Sequence, residues 1–199
     1  MASTASPYGL KAVNELGGLP YAGSTRTFLI DPAGYNTNIF NGSIVAINTS
    51  GYINIVTTNG DNSTPFPAGT IGVFVGCSYY NAQGQLIFSQ YYPANTTGVV
   101  QAFVIDDDRA VFQVQADGQV NQTSLGNNTY FAAAQSTSTG STQNGNSNSA
   151  VTHTTVTTSA AFRIVGFVNS TTSQVGDAYT DILVKFNPGY HSYSNAVGL

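Results

Sequence analysis

The stretch Ile71-Gly72-Val73-Phe74-Val75-Gly76-Cys77-Ser78-Tyr79-Tyr80 decides the fold class of this chain. Its first half is almost entirely apolar, which is typical of a strand that is covered on both faces. β-Branched and aromatic residues dominate the run, and these residue types favour strands over helices. Because a strand of this kind needs protein layers on both sides, the segment predicts a β-sheet at the centre of the molecule.

Similar strand-like runs flank this segment, and residues that favour turns separate them. Asn41-Gly42, Asp117-Gly118 and Asn187-Pro188-Gly189 supply the backbone geometry that chain reversals need. Strong helix formers are scarce, since Glu15 is the only glutamate and the chain has two lysines. Predicted strands cover residues 25–30, 43–48, 52–58, 71–80, 86–92, 99–106, 110–116, 129–133, 160–168 and 178–186. We therefore expect an all-β protein, a compact β-barrel or sandwich.

Charged residues are unusually sparse. They make up 7% of the chain, against roughly 25% in an average domain. Ser, Thr and Asn together account for 62 of the 199 residues, so polarity comes from neutral hydroxyl and amide groups. A net charge of −4 does not suit a nucleic-acid partner. No apolar run approaches the length of about 18 residues expected for a membrane span, so no membrane partner is expected either.

The first 23 residues form a segment of a different character. Residues 1–23 contain four glycines and two prolines without a clear period, and Met1–Thr4 shows no signal-peptide pattern. We expect an extended N-terminal arm, with one short helical turn at 11–16, lying on another surface; a frayed terminus is the alternative. A single β-rich domain, residues 24–199, would follow and fold without residues 1–20. The arm side chains predicted to contact a partner are Tyr8, Leu10, Val13, Leu16 and Tyr21.

A second distinct segment lies at residues 135–150. It contains no large apolar residue and is made almost entirely of Ser, Thr, Asn, Gln and Gly. This composition predicts a flexible surface loop that contributes no core side chain, so removal of residues 136–149 is expected to change stability little.

Residues that could carry catalysis are few. His153 and His191 lie in polar surroundings, where surface positions are expected, and no nucleophile motif accompanies them. Asp106-Asp107-Asp108 fits a tight turn, and a Ca²⁺ site is the alternative. The single cysteine, Cys77, excludes an internal disulfide and is expected to be buried in a strand. These observations predict a protein that is not an enzyme and uses no cofactor.

Two tyrosine pairs, Tyr79-Tyr80 and Tyr91-Tyr92, stand out among the aromatic residues. Since successive residues of a strand face opposite sides, one tyrosine of each pair should be buried and the other exposed. The exposed rings would pair across strands, or would bind a sugar or a protein partner. A carbohydrate-binding β-sandwich adhesin therefore remains an alternative function.

Several phrases of the chain resemble the small virion structural proteins of tailed phages, especially aquatic ones such as cyanophages, that decorate or cement the capsid. The resemblance spans most of the chain outside about 135–158. The resembling phrases are ASPYGL at 5–10, GGLPYAGSTR at 17–26, YNTNIFNGSIV at 35–45, IGVFVGC at 71–77, FSQYYP at 88–93, VFQVQADG at 111–118 and DILVKFN at 181–187.

The resemblance implies a capsid decoration protein located on the virion surface, after assembly in the host cytoplasm. Its partners would be the major capsid protein and further copies of itself, as a homotrimer or a dimer. β-Tulip and jelly-roll folds both occur among such proteins. A head–tail joining or tail-associated component is the alternative within the virion. No catalytic, metal or cofactor residue is implied.

Overall fold

Two packed β-sheets dominate the computed structural model, which describes residues 4–198. The predicted all-β class is confirmed, in a sandwich-like arrangement without a closed barrel. Met1–Ser3 of the predicted arm and Leu199 lie outside the described residues. The strands are β1 Lys11–Glu15, β2 Arg26–Ile30, β3 Ile39–Phe40, β4 Ile44–Ile47, β5 Ile53–Ile55, β6 Thr70–Tyr80, β7 Leu86–Ser89, β8 Tyr91–Tyr92, β9 Val100–Ile105, β10 Ala110–Gln115, β11 Asn128–Thr129, β12 Phe162–Phe167 and β13 Asp181–Phe186.

The strands pair antiparallel throughout both sheets. The five-stranded sheet has the order β1-β10-β13-β12-β11, and the six-stranded sheet has the order β2-β9-β6-β4-β5 with β7 added to β6. Strands β3 and β8 pair separately. Each predicted run overlaps an observed strand, but the run 86–92 breaks at Gln90, so that β7 and β8 belong to different sheets.

Two apolar cores lie on opposite faces of the six-stranded sheet. The first core fills the space between the two sheets and contains a chain of contacting rings that includes Phe112, Phe162 and Phe186. The second core includes Phe74 and Tyr92 on the other face. Strands β2 and β5 contact each other at the ends of the six-stranded sheet, so the sheet curls around the second core. The central strand β6 is therefore covered on both sides over its first half, as its sequence predicts.

One glycine in β6 allows the central strands to approach closely. Gly72 has φ +143°, and a Cβ atom at this position would lie 1.9 Å from the carbonyl oxygen of Ile105. The pairing of β6 with β4 shifts register at the same place, as expected of a β-bulge. A larger side chain here would force β6 and β9 apart.

The N-terminal segment is part of the five-stranded sheet, which corrects the expectation of an arm lying on another surface. Strand β1 pairs with β10 where a helical turn was expected, so the helical prediction was wrong. Leu10 is 2% exposed in the first core, and its N–H donates to the carbonyl oxygen of Gly42 at 3.0 Å. The segment adopts a strand because the edge of β10 offers unpaired backbone groups, which override its weak local preference.

Residues 135–150 pack against the body of the protein, in contrast to the free surface loop expected from their composition. The Ile44 N–H donates to Oε1 of the buried Gln135 at 2.9 Å. The Gln135 Nε2 donates to the carbonyl oxygens of Ile44 at 3.3 Å and Val56 at 3.0 Å. Ser147 is buried as well. The segment packs through side-chain amides and hydroxyls that bond to backbone, which a hydrophobicity pattern does not reveal.

Candidate partner-binding surfaces

The five side chains predicted to contact a partner differ in how exposed they are. Leu10 is in the first core of this chain and is not available to a partner, which corrects its assignment. Val13 and Leu16 are 38% and 42% exposed. Tyr8 and Tyr21 are half-buried against the protein's own surface. Of the predicted set, Val13 and Leu16 are therefore the exposed apolar members.

A turn at residues 15–20, here called the arm turn, carries this exposed apolar surface. The Glu15 N–H donates to the carbonyl oxygen of Leu19 at 2.8 Å, and the Gly18 N–H donates to that of Glu15 at 3.0 Å. Gly17 and Gly18 both have positive φ, which a tight reversal needs. Leu19, on the returning limb of the turn, is 59% exposed. The arm turn is a fixed projection with apolar side chains at its surface.

A shallow cavity on the outer face of the five-stranded sheet adjoins the arm turn. The cavity has a volume of about 170 Å³, and Leu16, Val111, Val165 and Leu183 contribute its apolar lining. Because β1 lies at the edge of this sheet, a partner reaching the arm turn would also reach the cavity.

Polar contacts fix the start of the arm on the same sheet. The Tyr8 hydroxyl donates to Oδ1 of Asp181 at 3.1 Å, and the Lys11 ammonium lies 5.4 Å from the centre of the Tyr8 ring. Burial raises the pKa of both Tyr8 and Asp181, since it disfavours the charged form of each group. These contacts hold the arm against its own domain.

A second surface lies on strands β6, β7 and β9, where the six-stranded sheet extends past the first core. We call it the hairpin groove, after the β6–β7 hairpin. Val100, Ala102 and Val104 of β9 belong to the second core. The alternate residues, from Val99 to Ile105, must therefore face the other side. Ile105 packs in the first core, so the groove is the uncovered continuation of the face that packs on the five-stranded sheet.

The strand register defines the shape of the hairpin groove. Ser78 lies opposite Phe88 of β7 on one side and opposite Gln101 of β9 on the other. The small, buried Ser78 side chain forms the floor between these two larger side chains. Tyr80 lies opposite Leu86 at the end of the hairpin. The groove has a volume of about 210 Å³ and is lined by Ser78, Tyr79, Tyr80, Leu86, Phe88, Val99, Gln101 and Phe103.

The hairpin groove combines exposed rings with unused polar groups. Phe88 is 73% exposed and Tyr80 is 63% exposed. Within residues 4–198, the side chains of Ser78, Tyr80 and Gln101 make no hydrogen bond. Every residue in the lining is uncharged. The sequence pointed to Tyr80 but not to Phe88 or Gln101. Consecutive apolar residues at 86–88 place apolar side chains on both faces of β7, and this pattern was a signal that could have identified Phe88.

The other tyrosines of the two pairs have structural roles. Tyr79 packs against the second core, opposite in orientation to Tyr80, as alternation predicts. Tyr91 stacks on Phe40 of the paired strand β3, with ring centres 5.6 Å apart. Tyr92 is fully buried, and its hydroxyl donates to the carbonyl oxygens of Tyr35 and Thr96. Tyr80 is therefore the member of the two pairs that is open to a ligand.

The acidic cluster forms a turn. Asp106 Oδ2 accepts hydrogen bonds from Arg26 at 2.8 Å and from the Tyr193 hydroxyl at 2.9 Å. Asp107 Oδ1 accepts from the Arg109 N–H at 2.8 Å. The part of the chain that the structure describes has no group of three or more His, Cys, Asp or Glu arranged to hold a metal ion. Of the two interpretations, the turn is the one these contacts support.

His191 is buried, which corrects the expectation that both histidines lie at the surface. Its ring contacts Phe186 and Tyr193, and its Nδ1 accepts from the Tyr193 N–H at 3.2 Å. Burial lowers the pKa of His191. His153 is exposed, with Nδ1 2.7 Å from Asp117 Oδ1. The His191 ring is thus buried against aromatic side chains, whereas the His153 ring pairs with Asp117 at the surface.

The thiol of Cys77 is buried, as expected. Burial raises its pKa to about 12, so it is protonated and unreactive at neutral pH.

The residues from 4 to 198 include no helix that is long and apolar enough to cross a membrane. Comparison with protein-family models, curated protein sequences and solved structures found no match to this chain.

Proposed function

We propose that this protein is a non-enzymatic structural component of a tailed-phage virion that binds the outer surface of the capsid. It would stabilise the shell by bridging neighbouring major capsid subunits, as a homotrimer or a dimer. The observation that carries the proposal is the arm turn, a hydrogen-bonded projection that presents Leu16 and Leu19 to solvent, with Val13 exposed on the adjoining strand β1. The phrases that resemble decoration proteins, including residues 17–26 within and after this turn, support the choice of the capsid as the partner.

The arm turn suits a permanent protein contact for an energetic reason. Covering exposed apolar area stabilises a complex by roughly 25 cal/mol per Å². Because backbone hydrogen bonds already hold the turn, little conformational entropy is lost when it binds. The adjoining cavity under Leu16 would accept a side chain from the partner.

The neutral surface also supports attachment to a repetitive shell. Hydrogen bonds between uncharged amides and hydroxyls are screened less by salt than exposed ion pairs are. Where copies contact each other as well as the shell, individually weak contacts reinforce one another. A sparsely charged protein would therefore stay attached across a wide range of ionic strengths.

The copy number of the protein in purified virions tests the proposal. The stained gel band of this chain is compared with that of the major capsid protein. A molar ratio near one is expected for a protein that covers the lattice. About a dozen copies per particle would instead place it at the head–tail junction or tail, and absence from the particle would overturn the virion assignment.

Variants test the role of the arm turn directly. Leu16→Ser combined with Leu19→Ser should weaken rebinding to particles from which the protein has been removed. Leu125→Ser, which changes a comparably exposed leucine elsewhere, should rebind as the unchanged protein does. Equal rebinding of both variants would show that the arm turn is not the capsid contact.

A further inference from the structure

We propose that the hairpin groove is a binding site for a single neutral sugar ring. Such a site is additional to the capsid contact of the arm turn and does not rest on the proposed virion role. The observation behind it is the meeting of two exposed aromatic rings with three unused neutral polar side chains on one open sheet face.

The aromatic rings suit the apolar face of a sugar. The face of an aromatic ring carries partial negative charge, which attracts the partly positive C–H groups of a pyranose. Phe88 and Tyr80 lie diagonally across β6 and β7, because Tyr80 pairs with Leu86 and Ser78 pairs with Phe88. Diagonal neighbours of this kind lie about 7–8 Å apart, so one ligand ring can contact both.

The polar side chains suit the hydroxyl groups of the same ligand. Elsewhere in this hairpin, polar side chains satisfy the protein itself: Asn81 Oδ1 accepts from backbone N–H groups of its own turn, and Ser89 Oγ donates to the carbonyl oxygen of Tyr91. Ser78, Tyr80 and Gln101 have no such use within the described chain. A few free polar groups in an apolar groove are what fixes the orientation of a bound small molecule.

Charge and size narrow the ligand class. An acidic sugar or a phosphate would have to give up solvation without a cationic partner, because the lining has no charged residue. The groove volume of about 210 Å³ is below the roughly 300–1,000 Å³ of sites for drug-sized molecules. A neutral hexose or N-acetylhexosamine, at a chain end or within a longer glycan, fits both conditions.

A second copy of the protein suits this surface less well. The exposed side chains of Tyr80, Leu86, Phe88 and Val99 offer an area on the order of 400 Å², given that a whole aromatic side chain presents about 150–250 Å². A stable protein interface buries about 800 Å² on each partner. The patch is thus too small by itself for a dimer but large enough for one sugar ring.

The test is binding of the full-length protein to an immobilised panel of neutral oligosaccharides and sialylated oligosaccharides. The neutral panel ends in glucose, galactose, mannose, N-acetylglucosamine or N-acetylgalactosamine. Binding to at least one neutral glycan is expected, with little change on adding salt. Phe88→Ala and Gln101→Ala should each weaken it by about tenfold or more, whereas Leu125→Ala should not change it.

Four outcomes would overturn the proposal. They are binding to no member of the panel, binding to sialylated glycans alone, equal binding by the groove variants, and a concentration-dependent dimer that Phe88→Ala abolishes. Circular dichroism of each variant establishes that it is folded, which is expected because Phe88 and Gln101 are exposed. The isolated protein is used throughout, so failure here leaves the particle copy number, and with it the virion proposal, unaffected.

Discussion

Gln135 joins a segment without large apolar residues to the core of the protein. Its amide satisfies the N–H and carbonyl groups of Ile44 and the carbonyl group of Val56. Backbone groups that are buried next to a short strand need partners, and a glutamine reaching in from 91 positions away supplies them here. Composition alone predicted a loop at this segment, because the position of one buried amide has no periodic signature.

Replacing Gln135 should reveal this contribution. Gln135→Ala leaves buried backbone groups unpaired and should lower the free energy of unfolding by about 2–4 kcal/mol. Gln143→Ala changes an exposed glutamine of the same segment and should alter it by less than about 0.5 kcal/mol. Urea unfolding of both variants measures the difference. Equal stability of the two would mean that the Gln135 amide does not stabilise the core.

His191 should make the stability of the protein depend on pH. Burial lowers its pKa in the folded state below the ordinary value of 6.5. Between these two pKa values the unfolded chain binds a proton that the folded chain excludes. The free energy of unfolding therefore rises with pH through this window and falls on acidification, by at most about 1.4 kcal/mol per pH unit for one proton.

The measurement compares urea unfolding of the unchanged protein, His191→Asn and His153→Asn between about pH 5.5 and 7.5. His191→Asn should have the shallower pH dependence, whatever its absolute stability, because other titrating groups are common to both proteins. His153→Asn controls for removal of the exposed histidine. A slope that His191→Asn leaves unchanged would contradict the assignment.

At the scale of elements, β1 differs most from its prediction. Its residues have no alternating pattern, and the glycines nearby suggested an arm. The pairing with β10 and the packing of Leu10 and Ala12 in the first core make β1 an edge strand of the sandwich. Removal of residues 1–20 should therefore destabilise the domain, contrary to the expectation from sequence alone.

Two leucines separate the structural role of this segment from its proposed binding role. Leu10→Ala should lower the free energy of unfolding by about 2–5 kcal/mol, as for other buried leucines. Leu16→Ala should change it by less than about 0.5 kcal/mol, since Leu16 is exposed on the arm turn. Thermal unfolding of the two variants provides the measurement. A Leu10→Ala protein as stable as the parent would show that the segment does not pack as described.

For the whole molecule, scarcity of charge should make stability nearly independent of salt. Among the described residues, Arg26 and Asp106 form the one ion pair between an arginine or lysine and a carboxylate. An exposed pair contributes about 0–1 kcal/mol. Between about 0.05 and 0.5 M NaCl, the melting temperature should change by less than about 3 °C. A larger shift would mean that electrostatic interactions beyond this pair contribute to the fold.

Much of the architecture could be predicted from the sequence because burial on both faces of β6 and the turn residues between strands leave local signals. The break at Gln90 could not be predicted, since it depends on β8 pairing with a distant strand, β3. The two surfaces were only partly predictable. Leu16 and Tyr80 were identified by type, whereas Phe88 and Gln101 meet only because the register of β7 and β9 places both opposite Ser78 of β6.

The extension of the six-stranded sheet beyond the first core has an evolutionary consequence. Leu86, Phe88 and Val99 lie on exposed positions outside both cores, so mutations there remove no contact that the sandwich needs. Natural selection could therefore change the exposed surface of this hairpin, one substitution at a time, while the remainder of the protein is inherited unaltered. Descendants of one ancestral chain could in this way diverge in the chemistry of this surface yet keep the same sandwich fold.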